Sequence, residues 1–152
     1  MADYIQGEEF RKRFQPVYIS RLGGASASPV GNHKDLRKSM ERLRRSELVP
    51  DVKGLYYGWL PMFGSSYAGH SSSAMRAVSI NRRLDNENVP DDLVDYVLYS
   101  QMVFVGPDYN PKEDKTQSKY RRELEKYPCH DVLDEMLEGM GLRITREMSP
   151  EC

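Results

Sequence analysis

Cysteine is nearly absent from this chain. Cys129 and Cys152 are the only two, one just before an expected helix and one at the last residue, so no disulfide framework is expected and a reducing compartment is the default. Histidine is also scarce. His33, His70 and His130, taken with the cysteines, give no zinc-ligand spacing, and no metal or cofactor is expected. No apolar run approaches the roughly 20 residues of a membrane helix. The opening MADYIQGEEFRKRF carries charge where a secretory leader needs an apolar stretch, and Ala2 stands where N-myristoylation requires glycine. The expected setting is cytoplasmic, with any membrane contact peripheral. The serine-nucleophile elbow, the P-loop ending and the dinucleotide glycine fingerprint are missing as well.

What is present fits a folded domain. The 39% hydrophobic and 30% charged fractions are those of a globular protein. The 152 residues suffice for one core. The net charge of −1 conceals an asymmetry: residues 1–83 carry 14 Lys and Arg against 7 Asp and Glu, and residues 84–152 carry 8 against 16. Such a split predicts a polarised surface if the halves occupy separate faces, with a basic side for anionic partners and head-to-tail contacts between copies. If folding interleaves the halves, the asymmetry cancels locally.

Periodicity and turn chemistry predict the elements. GEEFRKRF, 7–14, has acids first and bases last, the charge order of a short helix; PVYISRL alternates as a strand over 17–21. GGASASPVGN, 23–32, is a small-residue loop. Asn32 is the expected N-cap of a helix over 33–48, with Leu36, Met40, Leu43 and Leu48 as its apolar stripe. Residues 52–60 form the next strand, with Leu55, Tyr57 and Trp59 turned to the core; 61–73 is a long loop. A strand over 76–80, or a short helix before it, leads to a turn at 84–90, where a hinge would fall. Pro90 sits at N1 of a helix buried through Leu93, Val94, Val97 and Leu98. MVFVG, 102–106, is a buried strand. Helices over 117–127 and from Asp131 to Gly141 follow, then a strand over 142–148. The order predicts one compact α+β domain over 1–152, a small antiparallel or mixed sheet packed against several helices.

Three places invite a functional reading. Lys34, Lys38, Arg42 and Arg45 recur along one side of the 33–48 helix, with Arg37 and Arg44 on another. Arg11, Lys12, Arg13, Arg82 and Arg83 add to the basic half. Such a helix suits phosphates or anionic lipid headgroups; the plainer alternative is a solvated face with Glu41 and Glu47 pairing locally. Met62, Phe63 and Tyr67 lie in the loop 61–70, where exposed aromatics mark a partner contact or stack on bases. The alternative folds them over the core. His70 beside serines, and adjacent Cys129 and His130, are the only candidates for nucleophilic chemistry; a polar loop histidine, and a Cys129 that precedes a helix capped by His130 or Asp131, are the favoured explanations. Asp91, Asp92 and Asp95, and separately Asp108, Glu113 and Asp114, are carboxylate groups without the calcium-loop pattern.

These features favour a non-enzymatic binding and assembly protein that docks a basic surface on RNA or a membrane and self-associates, with a viral matrix-type or accessory protein as the analogy. No small-molecule substrate is expected. An adaptor acting on a host protein through 61–70, and a hydrolase using Cys129/His130 or His70, are the alternatives.

Overall fold

A computed structural model describes residues 12, 13, 15, 28–60 and 66–144. Lys12, Arg13 and Gln15 are helical; the rest of the 7–14 helix, the 17–21 strand, Arg11, Met62 and Phe63 lie outside the described residues. The architecture is α+β, as expected. Among the fully described elements, helices α1 (Leu36–Ser46), α2 (Asp91–Val105), α3 (Ser118–Leu124) and α4 (His130–Gly139) accompany a three-stranded sheet of β1 (Tyr56–Leu60), β2 (Gly69–Ser72) and β3 (Ala77–Asn81), with α1 and α2 in contact with it.

The sheet order is β1-β3-β2, with β1 parallel and β2 antiparallel to the central strand. The register sets Trp59, Ile80 and Gly69 in one row and Tyr57, Val78 and Ser71 in the next. Cα partners share a face, and this face is turned on α2. A Cβ on Gly69 would stand 3.0 Å from Cδ of Gln101 and 2.8 Å from the Ser79 carbonyl oxygen. Glycine there lets the helix approach the sheet. Trp59 is fully buried, and Leu55 and Tyr57 pack against the core from its margin, as the alternation predicted. Beyond the β2 edge the chain adds one more pairing: Arg143 bridges Tyr67 in parallel, through Ala68 N–H to the Arg143 carbonyl (2.6 Å) and Arg143 N–H to the Ser66 carbonyl (2.9 Å). Within the described residues this bridge is what exists of the expected 142–148 strand; 145–148 lie outside them.

Two expectations about elements fail. The 61–73 loop contains β2, a GHSS segment of poor strand formers. Its pairing is imposed by the neighbouring β3 and by the four-residue turn 73–76, where Arg76 takes a positive φ of 48°. The larger error is MVFVG. It is not a strand but the last turns of α2, which runs unbroken from Asp91 to Val105. Every residue from Leu93 to Val105 is buried. A helix buried on all sides shows no amphipathic stripe, so its second half reads as a short apolar run.

α2 is the spine of the molecule: α1, α3, α4, β2 and β3 all pack on it. Around its C-terminal half stands an aromatic cluster. Phe104 meets Tyr120 edge-on at 5.4 Å and Tyr109 at 5.4 Å, while Tyr127 lies 5.2 Å from Tyr96 and 5.5 Å from Tyr99. The hydroxyls are placed too. Tyr120 donates to the Ser100 carbonyl (2.9 Å) and Tyr99 to the Glu123 carbonyl (2.7 Å), so these two rings are buried with their polar ends satisfied; Tyr56 Oη and Trp59 Nε1 at the sheet are buried without a partner among the described residues. Among the described residues no helix is long and apolar enough to cross a membrane.

Candidate functional site

The helix predicted to be basic, α1, begins later than expected. Asp35, not Asn32, is its N-cap and accepts the Arg37 N–H at 3.0 Å. Asn32 has another task. The backbone N–H groups of Asn32, His33 and Lys34 converge on one carboxylate, that of Asp85, at 2.7, 2.8 and 2.8 Å. A Cβ on Gly31 would lie 2.5 Å from Asp85 Oδ2, so the small-residue loop is closed tightly on this acid. Burial pushes the Asp85 carboxyl up, but the three donors outweigh it and hold the group below its usual value. The glycine-rich loop does cradle an anion, and that anion is the protein's own side chain. The 84–90 segment is therefore tied to the front of α1.

The six predicted cations divide. Lys34, Lys38 and Arg42 line one cleft of about 230 Å³ together with Asp35, Ser39 and Asp91. Arg37, Arg44 and Arg45 do not line it. Lys34 Nζ meets Asp91 Oδ1 at 2.7 Å, and this partner draws the Asp91 carboxyl down. Arg42 makes a two-pronged contact with Asp95, Nε to Oδ2 at 2.7 Å and Nη2 to Oδ1 at 2.9 Å. The Asp95 side chain is 4% exposed and that of Arg42 40%, so the pair crosses from the core to the cleft wall and joins α1 to α2. Arg37 folds back on Asp35 at 2.8 Å and Arg45 reaches Glu41 at 2.6 Å, both at the surface. Water and salt screen exposed pairs of this kind, so they add little to stability. Among the described residues Lys38 and Arg44 enter no ion pair; Arg44 lines a separate hollow beside Pro50 and Met102.

The basic and acidic halves of the chain thus meet at the α1–α2 interface, through Lys34–Asp91, Arg42–Asp95 and the Asp85 cradle. Over this interface the two charge signs interleave. Among the described residues Lys38 is the cleft cation that enters no ion pair, with the Asp35 and Asp91 carboxylates in the same cleft.

The other candidates have definite surroundings. Tyr67 is half-buried, edge-on to His70 at 5.9 Å and beneath the Arg143 guanidinium at 5.9 Å. His70 belongs to β2, and burial lowers its pKa. Cys129 is exposed, with a positive φ of 60°, at the N-cap of α4. His130 Nδ1 lies 3.9 Å from Asp134 Oδ2. Asp114 is used locally, accepting the N–H groups of Lys119 (3.2 Å) and Tyr120 (2.9 Å) at the start of α3. Among the described residues no three His, Cys, Asp or Glu side chains are grouped to hold a metal ion.

Sequence reasoning missed one constellation. Tyr96 donates its hydroxyl to Asp134 Oδ1 at 2.7 Å, and both line a cavity of about 320 Å³ with Arg121, Leu124, Glu125 and His130. These residues come from three helices, and no local spacing announces them. No family model matches this chain, and comparison with curated proteins and with solved structures finds no match either.

Proposed function

We propose that this protein is a non-enzymatic binding module whose α1 cleft holds a phosphate group of an anionic partner, an RNA backbone or a phospholipid headgroup. One observation carries the reading: Lys38, which enters no ion pair among the described residues, shares a cleft with Lys34 and Arg42. Arg42 is fixed by Asp95, so its remaining N–H donors are held in place before a ligand arrives. Ordering one side chain in advance removes part of the cost of binding. Ser39, buried behind the wall, accepts a further Arg42 N–H at 3.3 Å and helps to fix the guanidinium.

The cleft also contains Asp35 and Asp91, which limits its strength. Two acids beside three cations support contact with single phosphates along a partner. Affinity then comes from repetition, through copies of the protein assembled on one surface, and falls as salt rises.

Two preparations separate the partner classes: a single-stranded RNA oligonucleotide, and vesicles with and without anionic phospholipid. Lys38→Ala is expected to weaken binding to the true partner about fivefold to tenfold. With one phosphate of single-stranded RNA neutralised per cleft, the slope of log K against log salt is expected to be about −0.7 for each bound copy, and shallower in Lys38→Ala. Binding that ignores both salt and Lys38 would overturn the proposal. Binding to vesicles alone would assign the headgroup.

A further inference from the structure

A second site lies away from the α1 cleft, in the cavity between α2, α3 and α4. Its walls carry both charges. Arg121 and Glu125 come from α3 and the turn after it, one helical turn apart, and neither enters an ion pair among the described residues. His130 and Asp134 come from α4. Leu124 and Ile144 supply apolar surface, and the Tyr96 and Tyr120 rings border the same space.

The acid on α4 is held from inside. Tyr96 is fully buried, and its hydroxyl donates to Asp134 Oδ1 at 2.7 Å. That bond fixes the carboxylate orientation and leaves Oδ2 with only the distant His130 Nδ1 at 3.9 Å. The Asp134 side chain remains 49% exposed, so Oδ2 is open to a ligand. Burial, followed by the neighbouring carboxylate, pushes the Tyr96 hydroxyl far up, so it stays a donor.

We propose that this cavity binds a small zwitterion, a free α-amino acid with an apolar side chain. The chemistry matches group by group. A guanidinium suits a carboxylate, because its planar fork donates two parallel hydrogen bonds. Asp134 Oδ2 takes the ammonium, with Glu125 as a second carboxylate nearby. The side chain lies on Leu124 and Ile144. A ligand carrying only one of the two charges leaves either Arg121 or Asp134 unmatched. The volume stands at the lower end of small-ligand pockets, about 300–1,000 Å³, which favours a single amino acid over a nucleotide.

The test is calorimetric titration of the full chain with three probes: L-leucine, 4-methylpentanoate, which lacks the amine, and 3-methylbutylamine, which lacks the carboxylate. Leucine is expected to bind at least about tenfold more tightly than either analogue. Arg121→Gln should weaken leucine and the acid by about tenfold and leave the amine unchanged. Asp134→Asn should weaken leucine and the amine and leave the acid unchanged. Both side chains are solvent-accessible, and an unchanged unfolding midpoint confirms that each variant folds. Tyr96→Phe, which frees Asp134, should weaken leucine and the amine alone. The proposal is overturned if leucine shows no saturable heat up to about 10 mM, or if the two charge variants affect all three probes alike.

Discussion

Removing the Asp85 carboxylate is the perturbation for which the structure gives the clearest magnitude. Three backbone N–H groups end on this one side chain at 2.7–2.8 Å. A hydrogen bond to a charged acceptor contributes about 1.5–3 kcal/mol, and such bonds to one acceptor do not add fully. Asn32 and His33 are exposed, so water recovers part of the loss for their N–H groups. Asp85→Ala is then expected to destabilise by about 3–5 kcal/mol, a large share of a typical 5–15 kcal/mol. Asp85→Asn is milder. One oxygen still accepts from His33 and Lys34, but if the amide nitrogen takes the Oδ2 position it faces the Asn32 N–H donor; about 2 kcal/mol is expected.

Urea unfolding followed by tryptophan fluorescence reports the change through the buried Trp59. For a chain of this length the melting point should fall by roughly 2–4 °C per kcal/mol. The pH dependence supplies a second reading. The folded carboxyl is held below its unfolded value of about 3.9. Its contribution is therefore fully present above that value and lost as pH falls through the folded pKa. Asp85→Asn should accordingly lose less stability than wild type on acidification through that window. An Asp85→Ala protein within about 0.5 kcal/mol of wild type at pH 7 would refute the idea that this cradle holds the front of α1.

Two further substitutions probe the packing. Arg42→Ala leaves the Asp95 carboxylate buried without its partner and should cost about 2–4 kcal/mol, whereas Arg42→Met with Asp95→Leu should recover most of that loss; a chemical-denaturation double-mutant cycle measures the coupling, and near-zero coupling would contradict a structural bridge between α1 and α2. Gly69→Ala places a Cβ 2.8 Å from a backbone oxygen of β3 and should destabilise by about 1–3 kcal/mol, read from the shift in urea midpoint at unchanged slope.

The comparison of sequence with structure turns on a few residues. Leu36, Met40 and Leu43 were legible as a core stripe because α1 lies on the surface and water selects its other faces. Trp59 and Tyr57 were legible because residues two apart in a strand share a face, although Gly58 and Leu60 on the other face are buried too. α2 was legible only in its first half, where Asp91 and Asp92 suit the helix dipole and Leu93, Val94, Val97 and Leu98 keep helical spacing; from Met102 on, burial on all sides removes the polar contrast that periodicity depends on. β2 was invisible, since GHSS has no strand preference of its own. Of the candidate sites, the three cleft cations were present in the predicted set, but their sorting from Arg37, Arg44 and Arg45 was not. The Tyr96–Asp134–Arg121 cavity left no trace in the sequence.

Local rules, namely the side-chain period, dipole order and glycine or proline punctuation, act between residues a few positions apart, and they were enough to determine an α+β chain with helices expected over 33–48, 117–127 and from Asp131 to Gly141, each within three residues of where it lies. The charge on each residue was equally fixed by the sequence. Which charges neutralise one another was decided only by tertiary structure. Asp85, Asp91 and Asp95 reach Asn32–Lys34, Lys34 and Arg42 across more than fifty positions of chain. An electrostatic contact depends on distance in space, and that distance exists only after α1 has docked on α2.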